Sequence, residues 1–196
     1  QPWDDAVTLA LAYAEIDYDV IFDDEIMQGK LSKFDWVHLH HEDFTGQYGK
    51  FYKNYHSSSW YRQQKAEFEA TEIKHGYPSV SEFKKNIAKL LKEYVVNGGF
   101  LFAMCSATDS FDIALAAGKT DIVAAVYDDT PVDPNYASKI DFNRSFAFEN
   151  YSLYTDPLLY EYSTIDVPPS HQPISRGAEA DYFTLFDFSA KWDPVP

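Results

Sequence analysis

A single cysteine and two methionines stand in 196 residues, and no run of lysine or arginine is longer than the pair Lys84-Lys85. One cysteine cannot close an internal disulfide, and no Cys-x-x-Cys or Cys/His spacing suits structural zinc. A formal charge of −15 without any basic stripe excludes nucleic acid as a partner, because phosphate contacts need clustered cations. An anionic membrane surface is disfavoured for the same reason. The longest apolar stretches, around Phe100 to Cys105 and Ile113 to Ala117, fall far short of the roughly 20 residues that span a bilayer, so no direct membrane insertion is expected. Residues 1–20 do not combine a basic start with an apolar run. Neither a cofactor nor a metal ion is expected from these residues.

What is present is a hydrophobic content of 45 % and an aromatic content of 17 %, enough for one well-packed domain over residues 1–196 and too much for a disordered chain. Residues 2–15 read as a helix, with Pro2 and two aspartates at its start and Trp3, Val7, Ala10, Leu11 and Ala14 on one face. Residues 18–22, YDVIF, read as a strand, and residues 34–41, FDWVHLHH, as a second. In that second strand Trp36, His38 and His40 point one way and Val37, Leu39 and His41 the other. Helices are expected over 59–75, closing at Gly76, and over 79–97. The second of these opens on a Ser79/Glu82 capping box and carries a stripe of Val80, Phe83, Ile87, Leu90, Leu91 and Tyr94. The run FLFAM then reads as a strand buried on both faces. Further on, DIVAAVY, SFAFE, YSLY and YFTLFDF have strand-like composition, and residues 166–181 read as an exposed loop.

Helices alternating with strands predict a three-layer, doubly wound, mostly parallel sheet of the flavodoxin-like kind. Because the chain opens on a helix, it is expected to be a segment of a longer protein that lacks one or more terminal strands.

Two constellations could carry chemistry. Cys105 falls at the end of an apolar strand and just before a helix that Ser106 or Thr108 would cap, where free amides and the helix dipole favour an anion. The other is HLHHEDFTG. His38 and His40 share a strand face, and His41, Glu42 and Asp43 crowd its carboxyl end, so several proton-transfer groups would meet one cleft. Gly46 and Gly49 would bend the following loop and could present amides to an oxyanion. If the two strands are neighbours, His40 or His41 can take a proton from Cys105.

The blocks PWDDAVTLALAYAEIDYDVIF, FDWVHLHHEDFTGQYGKFY and GGFLFAMCSATDSFDIALAA together resemble the middle portion of bacterial proteins labelled asparagine synthetase B, which are similar in fold to class I glutamine amidotransferase domains. The resemblance implies a class I glutamine amidotransferase-like fold with Cys105 at the nucleophile position, and it points to a bacterial periplasm or cell envelope. The nucleophile elbow of that family reads G-x-C-x-G, whereas here Ala103 and Ala107 replace both glycines, and no His-x-Glu pair follows before Pro196. The expected function is therefore a binding or assembly scaffold for a protein partner, without efficient catalysis. The alternative is a cysteine-dependent amide hydrolase or amidotransferase acting on a small amide, with Cys105, His40 and His41 as catalytic groups and His38, Glu42, Asp43, Gly46, Ser106 and Thr108 around the substrate.

Overall fold

A computed structural model of the chain describes residues 6–166. The element that organises it is α5, Val80–Val96, whose start needs no tertiary explanation: the Ser79 hydroxyl accepts the Glu82 amide at 3.2 Å. Its apolar stripe lies in the main core, with Phe83, Ile87, Ala88 and Leu91 fully buried and Leu90 and Tyr94 packed at the margin. The chain then turns through Gly98 into β2, Phe100–Ala103, and passes directly into α6, Ser106–Ala116. Strand β1, Trp36–Leu39, pairs in parallel with β2 in the register Trp36↔Phe100 to Leu39↔Ala103.

The remaining helices are α1 (Ala6–Tyr13), α2 (Asp23–Met27), α3 (Tyr52–Tyr55), α4 (Ser59–His75), α7 (Ala125–Asp128) and α8 (Tyr136–Lys139). As expected, α4 stops at Gly76, which takes the left-handed conformation (φ 75°) that favours glycine. A second core is aromatic, built around Tyr48, Tyr61, Tyr127, Tyr151 and Tyr162 with Ile113, Ile122 and Val123.

The strand faces are unequal. Val37 and Leu39 point into the main core under α5 and α6, whereas Trp36, Phe100 and Phe102 are 46–59 % exposed on the other face. The expectation that FLFAM is buried on both sides is thus corrected. The described residues supply one helical layer and two parallel strands. Residues 18–22 form no strand and join no ladder, and of them only Ile21 packs on the core. A strand is a pairing and not a local conformation, so composition alone could not settle it.

Three other strand expectations fail for identifiable reasons. In DIVAAVY the Asp121 side chain accepts the Val123 amide at 2.9 Å and the chain turns into α7. In SFAFE the amides of Phe146, Ala147 and Phe148 are all taken by the Asp112 carboxylate, which leaves them nothing for a ladder. YSLY makes one isolated antiparallel bridge, Leu153↔Ser163. YFTLFDF lies outside the described residues, as does nearly all of the loop expected at 166–181.

The one pair of adjacent lysines, Lys84-Lys85, lies inside the fold. Both are buried. Lys84 reaches Asp23 of α2 at 2.5 Å, and Lys85 bonds Glu82 and the Thr120 carbonyl, each at 2.9 Å. The start of α5 also fixes Gly46. That residue has φ 82°, and a β-carbon added there would lie 2.6 Å from the Ser81 backbone. Gly46→Ala should cost about 2 kcal/mol through the left-handed backbone and the clash, read as a lower urea midpoint at unchanged slope. An unchanged midpoint would show that the loop can move away from α5.

Candidate functional site

Cys105 is the residue at which β2 becomes α6. It stands at the N-cap with φ 54° and ψ −141°, and it is exposed. A residue with a β-carbon pays for positive φ in backbone strain, so such a conformation persists only where its surroundings impose it. Here the imposition is topological. Met104 still donates its amide to the Leu39 carbonyl at 3.0 Å as the last bond of the sheet, and Thr108 already donates to the Cys105 carbonyl at 3.0 Å as the first of the helix. One residue must make the whole change of direction. The cap expected at Ser106 or Thr108 is therefore corrected to Cys105 itself, and no side chain caps the helix. Ala103 and Ala107 do not share the positive φ, so the missing glycines do not prevent the turn. Ala107 is completely buried, where a small residue lets the helix sit close to the strand.

Parallel pairing brings the segment after β1 to the same end of the sheet. His38 stacks on Phe102 with ring centroids 5.4 Å apart, His40 lies 6.0 Å from His38, and His40 and His41 stack at 3.8 Å. A file of rings thus runs along the open sheet face to the strand ends, finishing in the half-buried His40 and the exposed His41. Glu42 turns the chain by accepting the His40 amide at 2.6 Å. The turn is tied to α6: the Ser110 hydroxyl donates to the Glu42 carbonyl at 2.9 Å and accepts the Phe44 amide at 3.4 Å.

Asp43 faces inward and organises the next loop, accepting the Thr45 amide and hydroxyl at 2.7 and 2.6 Å and the Gly49 amide at 3.0 Å. The Gly49 amide is thereby occupied, and Gly46 lies against Ser81. Three successive residues, Tyr48, Gly49 and Lys50, have positive φ in this loop.

Sequence reasoning placed Cys105 and the His40–His41–Glu42 segment at one end of the sheet, and it missed three groups. Asp109, one turn into α6, is 1 % exposed, with the Asp166 carboxyl beside its own. Its carboxyl is pushed up to about 8, chiefly by burial and then by the charge of Asp166, against the opposing amide of Ser110. Tyr160 sits near Cys105. Its hydroxyl is raised above the usual phenol range, first by burial and then by Cys105, Asp166 and Glu161. Lys50 is 1 % exposed and donates to the carbonyls of Tyr154 at 2.7 Å and Asp156 at 3.2 Å, which ties the loop after β1 to the segment carrying Tyr160. Burial lowers its ammonium to about 8, against the nearby Asp43, Asp156 and Glu161. Only the spacing of Asp109 and Asp112 in the first turns of α6 hinted at any of this, and it reads equally as a dipole preference.

Among the described residues no three His, Cys, Asp or Glu side chains come close enough to hold a metal ion, and no helix is long and apolar enough to cross a membrane. Comparison with protein-family models, curated proteins and solved structures finds no match.

Proposed function

We propose that the chain carries the nucleophile of a cysteine-dependent amide hydrolase or acyl transferase, on the three-layer class I glutamine amidotransferase-like fold that its sequence resembles. The observation that supports this most is the exposed, positive-φ Cys105 at the strand-to-helix turn. Strain of this kind gathers at sites where a side chain must be presented. Just beyond the sulfur, the amide of the half-buried Ser106 opens α6 and has no intrahelical acceptor, so it can hold an oxyanion.

In the reaction, the Cys105 thiolate adds to the amide carbonyl carbon after its proton has passed to His41 or His40. The carbonyl π electrons move to oxygen, where the Ser106 amide holds them. Collapse breaks the C–N bond, the departing nitrogen takes the imidazolium proton, and a thioester remains. Water, deprotonated by the same imidazole, cleaves the thioester and restores the thiol. Glutamine and asparagine are the substrates to test, by steady-state ammonia release. Cys105→Ala should abolish release, and His41→Ala should lower kcat by about 100-fold if His41 is the base. Sustained release by Cys105→Ala, or none by the unaltered chain, would overturn the proposal.

The second reading, a scaffold that binds a protein partner without turnover, is favoured by the aromatic sheet face of Trp36, Phe100 and Phe102, each about half exposed. On that reading Cys105→Ala leaves the partner bound, while Phe102→Asp releases it.

A further inference from the structure

In a chain this acidic several cations are neutralised by a carboxylate. Lys30, Lys65, Lys74, Lys84, Lys85 and Lys139 all form ion pairs. Of the described lysines and arginines that form none, Lys33, Lys53, Arg62 and Lys119 are exposed, where water solvates them. Four are buried or half-buried: Lys50 and Lys92 donate to backbone carbonyls, whereas Lys89 and Arg144 face no carboxylate within ion-pair distance among the described residues. A half-buried charge without a counter-charge loses hydration and recovers little. Both line one cleft of about 520 Å³, together with Lys92, Glu93, Val96 and Leu115.

The cleft follows from the fold. Lys89, Lys92, Glu93 and Val96 recur at the spacing of one face of α5, Leu115 comes from the last turn of α6, and Arg144 from the short turn Phe142–Arg144. Because α5 ends where β2 begins, and α6 starts where β2 ends and runs back, this cleft is at the opposite end of β2 from Cys105. Lys92 is already engaged: its ammonium donates to the Arg144 carbonyl at 2.5 Å and lies 5.1 Å from the Phe146 ring centroid, so it positions the turn that carries Arg144. Lys89 and Arg144, whose guanidinium lies against Gly118 at the end of α6, are the two lining cations left without an ion pair. Val96 and Leu115 are its apolar lining, and Glu93 is the one acidic acceptor.

We propose that this cleft binds a small organic oxyanion, a carboxylate or phosphate ester with a short aliphatic body and a hydroxyl group. Arg144 would hold one oxyanion group through its planar fork and Lys89 a second, while the aliphatic part lies on Val96 and the hydroxyl donates to Glu93. A volume of this size suits a ligand of about metabolite dimensions. The site does not depend on Cys105 or on any amide hydrolysis.

The test is a titration of the full 196-residue chain with citrate and, separately, with inorganic phosphate, at ionic strength held constant with sodium chloride. Backbone amide NMR shifts and calorimetry are the readouts. The expected result is saturable binding of at least one probe, with shifts confined to residues near 89–97, 115 and 144. Citrate alone would identify a carboxylate ligand and phosphate alone a phosphoryl one. Arg144→Gln and Lys89→Gln should each weaken binding about tenfold or more, and Lys53→Gln should leave it unchanged. Lys89→Gln decides the matter if Arg144→Gln fails to fold. The proposal is overturned if neither probe binds saturably by about 10 mM. It is equally overturned if binding persists in both variants, or if they change only stability, which would mean that these cations merely serve the C-terminal ends of α5 and α6.

Discussion

Asp112→Ala should remove about 3–5 kcal/mol of folding stability, a large part of what a domain of this size possesses. The carboxylate is 1 % exposed and accepts three consecutive amides, from Phe146, Ala147 and Phe148, at 2.8, 2.7 and 2.8 Å. Its backbone carbonyl receives the hydroxyls of Ser145 and Tyr151 at 3.4 and 3.5 Å. Removing the side chain strands three donors at once, and the segment that follows the short turn at Arg144 loses its attachment to α6. An asparagine amide in the same place keeps one good acceptor and turns the other position into a donor facing donors, so Asp112→Asn should recover less than half of the loss. Urea unfolding measures both. A value for Asp112→Ala within about 1 kcal/mol of the unaltered chain would show that water replaces the carboxylate without difficulty.

Asp109→Asn should act in the opposite direction. The folded-state value of this carboxyl, about 8, lies above its ordinary 3.8, so between these limits the folded chain holds a proton that the unfolded chain has released. Stability from this group is therefore complete below about pH 4, declines as pH rises toward 8, and is level above that. Each pH unit of that window is worth at most about 1.4 kcal/mol, and relaxation around the site reduces the sum. Asparagine has nearly the same shape and no charge to bury. The variant should match the unaltered chain near pH 4 and exceed it by roughly 2–4 kcal/mol near pH 8.5. A difference that does not change with pH would mean that Asp109 is ionised and satisfied where it stands. A group whose ionisation costs the fold this much, one turn from the candidate nucleophile, belongs with the perturbed residues that gather at functional sites.

What could be read in advance was what is local. The start of α5 is written in Ser79, though of the expected capping box only the Ser79 half forms and the Glu82 carboxylate pairs with Lys85; its buried face is written in the spacing of Phe83, Ile87 and Leu91, and the end of α4 in Gly76, because caps, stripes and left-handed stops act within a few residues. The burial of Val37 and Leu39 against the exposure of Trp36 follows from alternation alone. The candidate site was legible to the same depth. An apolar strand ending in Cys105 and another ending in a histidine cluster converge if they are parallel neighbours, and they are.

The unread part depends on partners far along the chain. Nothing near Asp112 announces the amides 34 to 36 residues away, and nothing near Lys50 announces the carbonyls more than 100 residues away. Residues 18–22 have strand composition with Tyr18, Val20 and Phe22 exposed, because pattern specifies a face and pairing requires a neighbour. Cys105 looked like a compromised turn without its glycines. The backbone shows that the cysteine itself bears the positive φ.

The parallel ladder has a consequence for how the protein is made. Each residue of β1 pairs with one 64 residues later, as Trp36 does with Phe100. At ribosomal speeds of about 5–20 residues per second, roughly 3–13 s pass between synthesis of the first strand and synthesis of its neighbour. Throughout that interval Val37 and Leu39 have no sheet to join and no α6 to cover them, while α4 and α5 can form on their own local signals. The nascent chain therefore offers a short apolar strand ahead of finished helices, which is the kind of segment that general chaperones hold and that mispairs between neighbouring chains when they are scarce.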